Sequence, residues 1–122
     1  MATLSSINPP QRGEVWLVSL DPTVGSELKK TRPAVVISSD AVGRLPIKVV
    51  APITDWKDHY ARNIWHVYIE PDSTNGLAKT SAVDVLQLRG LDYRRFIRKL
   101  GDVSSTMLED ICVAVCSIIE YP

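Results

Sequence analysis

The sequence predicts a mainly β domain, an antiparallel barrel or curled sheet of short strands finished by one amphipathic helix. Three observations carry this. Short runs of β-forming residues are separated by clusters of Pro, Gly, Asn and Asp. Hydrophobic spacing becomes helical only after Ser104. Strands and helices never alternate in the rhythm that builds a parallel sheet.

Glu14 to Leu20 is short, alternating and rich in β-formers, and Asp21-Pro22 with Gly25 breaks it. Asp21 to Thr31 is polar and long for a connection in a compact domain, a length that often accompanies function. Ala34-Val35-Val36-Ile37 follows Pro33 as an unbroken apolar run, as expected of a strand buried on both faces. Ile47 to Ile53 reads as a strand with Pro52 near its end, where a missing N–H is tolerated. Thr54 to Asn63 is a polar loop, Ile64 to Glu70 a strand, and Pro71 to Gly76 a turn. Ser81 to Gln87 and Phe96 to Val103 read as the remaining strands. Met107, Leu108, Ile111, Val115, Ile118 and Ile119 recur at helical spacing. Ser104, Ser105 and Thr106 are cap candidates, and Thr106-x-x-Glu109 fits a capping box.

The chain has 122 residues, enough for one domain with its own core. The expected organisation is a loosely held lead-in over residues 1–11, ended by Pro9-Pro10, and one domain over 12–122. The N-terminus lacks the basic and apolar regions of a signal peptide, and no apolar run is long enough to span a membrane. A cytoplasmic location is expected. Cys112 and Cys116 lie four apart on the predicted helix. Two thiols are half of a metal site at most, so two small buried apolar residues are the simpler reading. No metal or cofactor is expected.

Lys+Arg and Asp+Glu are both 14, which excludes a nucleic-acid binder that works through bulk charge; any such role needs local concentration. Two places offer it. Arg32 stands at the mouth of the buried run, held extended by Pro33, with Lys29 and Lys30 just before it. Its guanidinium fork suits a phosphate, or it is an ordinary strand-entry arginine paired with Glu27 or Asp55. Arg89, Arg94, Arg95, Arg98 and Lys99 put five of the 14 cations within eleven positions, either an RNA-backbone track or a solvated face. Thr54 offers a hydroxyl to a phosphate oxygen or caps a turn. Trp56, Tyr60 and Trp65 are candidates for stacking on unpaired bases, with Trp65 the one expected in the core. His59 and His66 read as a surface residue and a sheet-face residue rather than an acid–base pair.

Taken together, Arg12-Gly13-Glu14-Val15-Trp16, Asp21-Pro22, Gly25-Ser26-Glu27 and Arg32-Pro33-Ala34-Val35-Val36-Ile37 resemble the N-terminal half of MazF/PemK toxins. Pro52-Ile53-Thr54 resembles the second motif of that family. Leu86-Gln87-Leu88-Arg89 with Leu91-Asp92 resembles the third. Lys29-Lys30 departs from a loop that is commonly rich in Gly, Ala and Gln, and Gly90 stands where Thr is frequent. The resemblance runs from Arg12 to Ile119. It implies a small SH3-like antiparallel β-barrel with a C-terminal helix, a homodimer, and metal-independent cleavage of single-stranded RNA restrained by a cognate antitoxin. It implies Arg32 and Thr54 as the catalytic pair, Ser26 and Glu27 in the same pocket, and Gln87 as a base contact. Lys29, Lys30, Trp56 and Arg89 join Gln87 as expected RNA-binding residues. A guanidinium keeps its proton, so Arg32 stabilises charge and Glu27 is the candidate general base. A toxin on the same fold that binds a protein such as DNA gyrase, as CcdB does, is the alternative.

Overall fold

The computed structural model describes residues 8–122. Pro10 is fully buried, and the Gln11 N–H donates to the Glu14 carboxylate at 2.8 Å. Pro10 and Gln11 are thus tied to the fold, and residues 1–7 of the expected lead-in lie outside the described residues. Seven strands follow in order: β1 (Glu14–Ser19), β2 (Thr31–Val36), β3 (Ile47–Asp55), β4 (His66–Ile69), β5 (Ser81–Asp84), β6 (Arg89–Asp92) and β7 (Phe96–Asp102). Helix α1 (Ser105–Ile118) ends the fold.

All pairings are antiparallel, in the order β4-β5-β3-β2-β1-β7. Strand β3 is the hinge of the sheet. One edge pairs with β2 at Val50 to Pro52, while the other pairs first with β6 at Ile47 to Val50 and then with β5 at Ile53 to Asp55. Pro52 falls at that switch, where its missing N–H costs no ladder bond to β6 or β5. No ladder joins β7 to β6 or to β4, so the expected barrel is an open, curled sheet.

The apolar run in β2 is explained by two cores, one on each face of the sheet. Val35 enters a cluster with Val15, Ile53 and Val83, whereas Ala34 and Val36 enter one with Trp16, Val18 and Leu91. Helix α1 covers the first cluster through Ile111 and Ala114. Truncating a fully buried residue such as Ile111 to Ala typically costs about 2–5 kcal/mol.

Local chemistry corrected three expectations and added a strand. The helix cap is Ser104, whose hydroxyl accepts from the Met107 N–H at 3.0 Å. Thr106 already lies inside the helix, so Thr106 and Glu109 form no capping box. The segment Ser81 to Gln87 is a strand only to Asp84, then a 3₁₀ turn over Val85–Gln87. Strand β3 continues through Thr54 to Asp55 before a 3₁₀ turn at Asp58–Arg62. Strand β6 was not legible, because Leu91 is its one apolar residue and Gly90 interrupts any alternation.

Candidate active site

Arg32 and Thr54 lie 22 residues apart in sequence and meet across the β2–β3 corner of the sheet. The Arg32 Nη1 donates to Thr54 Oγ1 at 3.2 Å, and its Nε donates to the Lys29 carbonyl at 2.9 Å. Lys30 turns the chain into β2 with φ of 70°, a conformation few non-glycine residues adopt. The Lys30 carbonyl accepts from the Leu20 N–H at 2.9 Å, which fixes this turn to the end of β1.

The ordinary ion-pair reading of Arg32 does not hold. Among the described residues no carboxylate pairs with it. Asp55 pairs with Lys79 at 3.1 Å. The Glu27 carboxylate accepts from the Val24 N–H of its own loop at 2.6 Å. Arg32 is thus a half-buried, held guanidinium with donors left over. Its cleft gathers four cations, Lys30, Arg32, Lys79 and Arg98, against the single carboxylate of Asp55. A chain of zero net charge has concentrated positive charge at one place.

The rim of this cleft depends on a turn between β4 and β5. Gly76 has φ of 70°, and a Cβ placed there would stand 2.1 Å from the Leu100 carbonyl oxygen. Only glycine permits that approach, and it brings Ala78 and Lys79 to the cleft.

Ser26 and Glu27 do not share the Arg32 cleft. They line an adjoining one with Leu20, Gln87 and Arg89. Pro52 borders that cleft, while Ile53 and Thr54 border the Arg32 cleft. Gln87 clamps the long loop: its Oε1 accepts from the Leu28 N–H, and its Nε2 donates to the Ser26 carbonyl at 3.5 Å. The same Nε2 also donates to Asp84 at 3.2 Å. Arg89 donates to the Leu20 carbonyl at 3.0 Å. Lys29 and Lys30 are exposed on the loop. Trp56 does not line either cleft; it packs edge-on against Tyr60 and Tyr68, with ring centroids 5.9 and 4.8 Å away. Trp65 packs on the core, as expected.

Behind Gln87 lies a polar group that the sequence did not announce. Asp84 is buried and faces His66, Nε2 to Oδ2 at 3.6 Å. Burial pushes the Asp84 carboxyl above its ordinary range, and His66 opposes that shift. Burial likewise holds the His66 imidazole below 6.5, against the pull of Asp84. Both shifts disfavour the charged forms, so burial works against a His66–Asp84 ion pair. Asn63 donates its amide N–H to His66 Nδ1 at 3.0 Å, which leaves the ring proton on Nε2, facing Asp84. His59 is exposed, and the two histidines form no acid–base pair across the Arg32 cleft.

Known proteins share the sequence pattern and the fold of this chain. A family described as PemK-like, MazF-like toxin of type II toxin-antitoxin system matches residues 11–119. Endoribonuclease MazF9 of Mycobacterium tuberculosis is 36% identical over 112 residues, covering 83% of this chain and 88% of that protein. Endoribonuclease PemK of Escherichia coli is 32% identical over 111 residues, covering 89% and 81%. The fold matches the crystal structure of MazF from Deinococcus radiodurans with a TM-score of 0.76 at 21% identity, over 91% of this chain and 96% of that one. A mycobacterial endoribonuclease solved in complex with its cognate antitoxin matches with a TM-score of 0.73 at 18% identity, over 93% and 97%. This chain belongs to the PemK-like, MazF-like family of toxins of type II toxin-antitoxin systems.

Proposed function

We propose that the chain is the endoribonuclease toxin of such a pair, cutting single-stranded RNA at the Arg32–Thr54 cleft. The observation that carries this is the guanidinium of Arg32, bonded to the Thr54 hydroxyl and free of any carboxylate among the described residues. In the proposed reaction a ribose 2′-OH attacks the adjacent phosphorus. The O2′–P bond forms, the P–O5′ bond breaks, and the products carry a 2′,3′-cyclic phosphate and a 5′-OH. The 2′-OH proton passes to a base and the leaving 5′ oxygen takes one up. Negative charge grows on the phosphoryl oxygens, and Arg32 with the Thr54 hydroxyl would stabilise it as it develops. The nucleophile belongs to the substrate and the guanidinium supplies positive charge, so this reading calls for no metal.

The Glu27 carboxylate is spent on Val24 and lines the other cleft. In this arrangement it is a loop-holding residue, and its use as a base requires the loop to open. The toxin works as a homodimer in the cytoplasm. A cognate antitoxin with an acidic segment fits the cationic cleft and would cover it. No helix of the described residues is long and apolar enough to cross a membrane.

The test is cleavage of a long single-stranded RNA in EDTA by wild type, Arg32→Ala, Thr54→Val and Glu27→Gln, with the new ends mapped. Wild type should give discrete cuts bearing 5′-OH ends. Loss of one preorganised donor should slow Arg32→Ala and Thr54→Val by ~10²–10³-fold, and Glu27→Gln should lose less than either. Equal cutting by wild type and Arg32→Ala would overturn the assignment.

A further inference from the structure

We infer that Arg98 is the binding residue for a second RNA phosphate, the neighbour of the one held by Arg32 and Thr54; the inference rests on the function proposed above. The basic run from Arg89 to Lys99 has five cations, and the fold consumes four of them. Arg89 donates to the Leu20 carbonyl, and Arg95 to the carbonyls of Ser19 and Asp21. Arg94 pairs with Asp92 at 3.0 Å. Lys99 pairs with Glu14 and Asp102, both at 3.2 Å. Arg98 is exposed and, among the described residues, has no carboxylate partner.

Its place in the sheet is specific. Leu17 of β1 pairs with Pro33 of β2 on one side and with Arg98 of β7 on the other. Arg98 therefore stands two strands away from the residue beside Arg32, about 9.5 Å of backbone. Its side chain lines the same cleft as Arg32 and Thr54, and also borders the groove beyond it with Gln11 and Ile97. A strand of RNA leaving the cleft toward that groove passes Arg98. A cation at that distance, at the exit and without a carboxylate partner, suits the next phosphate rather than the scissile one.

Contacts to the phosphate backbone release counterions and give binding a salt dependence that counts them. Steady-state cleavage of a single-stranded RNA oligonucleotide with one mapped cut site tests the assignment. Arg98→Gln should raise KM about tenfold, with the loss falling in KM rather than in kcat. It should also flatten the dependence of log kcat/KM on log salt by about 0.7. Arg98→Lys should restore that slope, because it keeps the charge. With a neutral methylphosphonate placed at one flanking position at a time, one position should impair wild type but cost Arg98→Gln nothing further. Wild-type KM and salt slope in Arg98→Gln would overturn the inference, as would penalties that add to Arg98→Gln at every position. If wild type cuts no RNA, the proposed function falls and the inference with it; if wild type cuts and Arg98→Gln matches it, only the inference falls.

Discussion

Replacing Gln87 with Ala should loosen the loop that carries Ser26 to Lys30 while leaving the sheet intact. Gln87 reaches that loop through two bonds, from the Leu28 N–H to its Oε1 and from its Nε2 to the Ser26 carbonyl. A neutral hydrogen bond is worth about 0.5–1.5 kcal/mol net, so the two together hold the loop by ~2 kcal/mol. At 1.4 kcal/mol per factor of ten, the Leu28 amide should lose about 30-fold of its protection from hydrogen exchange. Its bond crosses from the loop to the turn after β5, 59 residues away, so it reports the loop and not the sheet. Amides in the β2–β3 ladder, Val35 opposite Ala51 among them, serve as the control and should change little. Native-state exchange followed by NMR at pH 7 reads both sets in one experiment. Leu28 protection unchanged in Gln87→Ala would refute the clamp. A uniform fall across Leu28 and Val35 would show instead that Gln87 acts on global stability.

Other outcomes follow from the same geometry. Gly76→Ala should destabilise severely. The positive φ alone costs ~1–3 kcal/mol, and the added Cβ meets the Leu100 carbonyl at 2.1 Å; a chemical-denaturation midpoint within error of wild type would contradict this. His66 is held below 6.5 by burial, so the unfolded chain takes up its proton more readily than the native one. Its stabilising contribution is present above 6.5 and is lost as pH falls through the lower native value. Asp84 is shifted upward and acts in the opposite sense, adding stability as the pH falls through the raised native range toward the ordinary one. The thermal midpoint of wild type should therefore fall more steeply from pH 7.5 to 5.5 than that of His66→Gln, and parallel curves would reject the assignment.

Asp84 and Gln87 also show how a polar group in the core acts on a loop at the surface. The buried carboxylate accepts from the Leu86 N–H at 3.1 Å and from Gln87 Nε2 at 3.2 Å. It thereby orients the Gln87 amide so that its oxygen meets Leu28. A base-contacting role for Gln87 competes with this clamp, because the same oxygen and nitrogen are already engaged.

Much of the fold was legible locally. The switch from alternating to helical spacing located α1, and the unbroken apolar run announced a strand buried on both faces. Arg32 and Thr54 were legible as motif residues, since Pro33 and the end of β3 fix their backbones. Element boundaries were less so: β5 stops at Asp84 because that residue turns its carboxylate onto the Leu86 N–H, a side-chain choice with no periodic signature. Strand β6 exists through its pairing with Ile47 to Val50 and not through its own composition.

The sequence by itself determined the class of fold and the order of most elements, because these depend on period and turn chemistry, and it pointed to Arg32 and Thr54 through their motifs' resemblance to a known family. Tertiary structure decided which charges are available. Arg89, Arg95 and Lys99 look alike beside Arg98 in the sequence, but three are spent on carbonyls and carboxylates brought close by the β3–β6 and β1–β7 pairings, and one is not. The same holds for Glu27, which lies five residues from Arg32 yet faces a different cleft. A charged side chain binds whatever partner long-range packing brings within reach, and that is set by strand pairing between residues tens of positions apart.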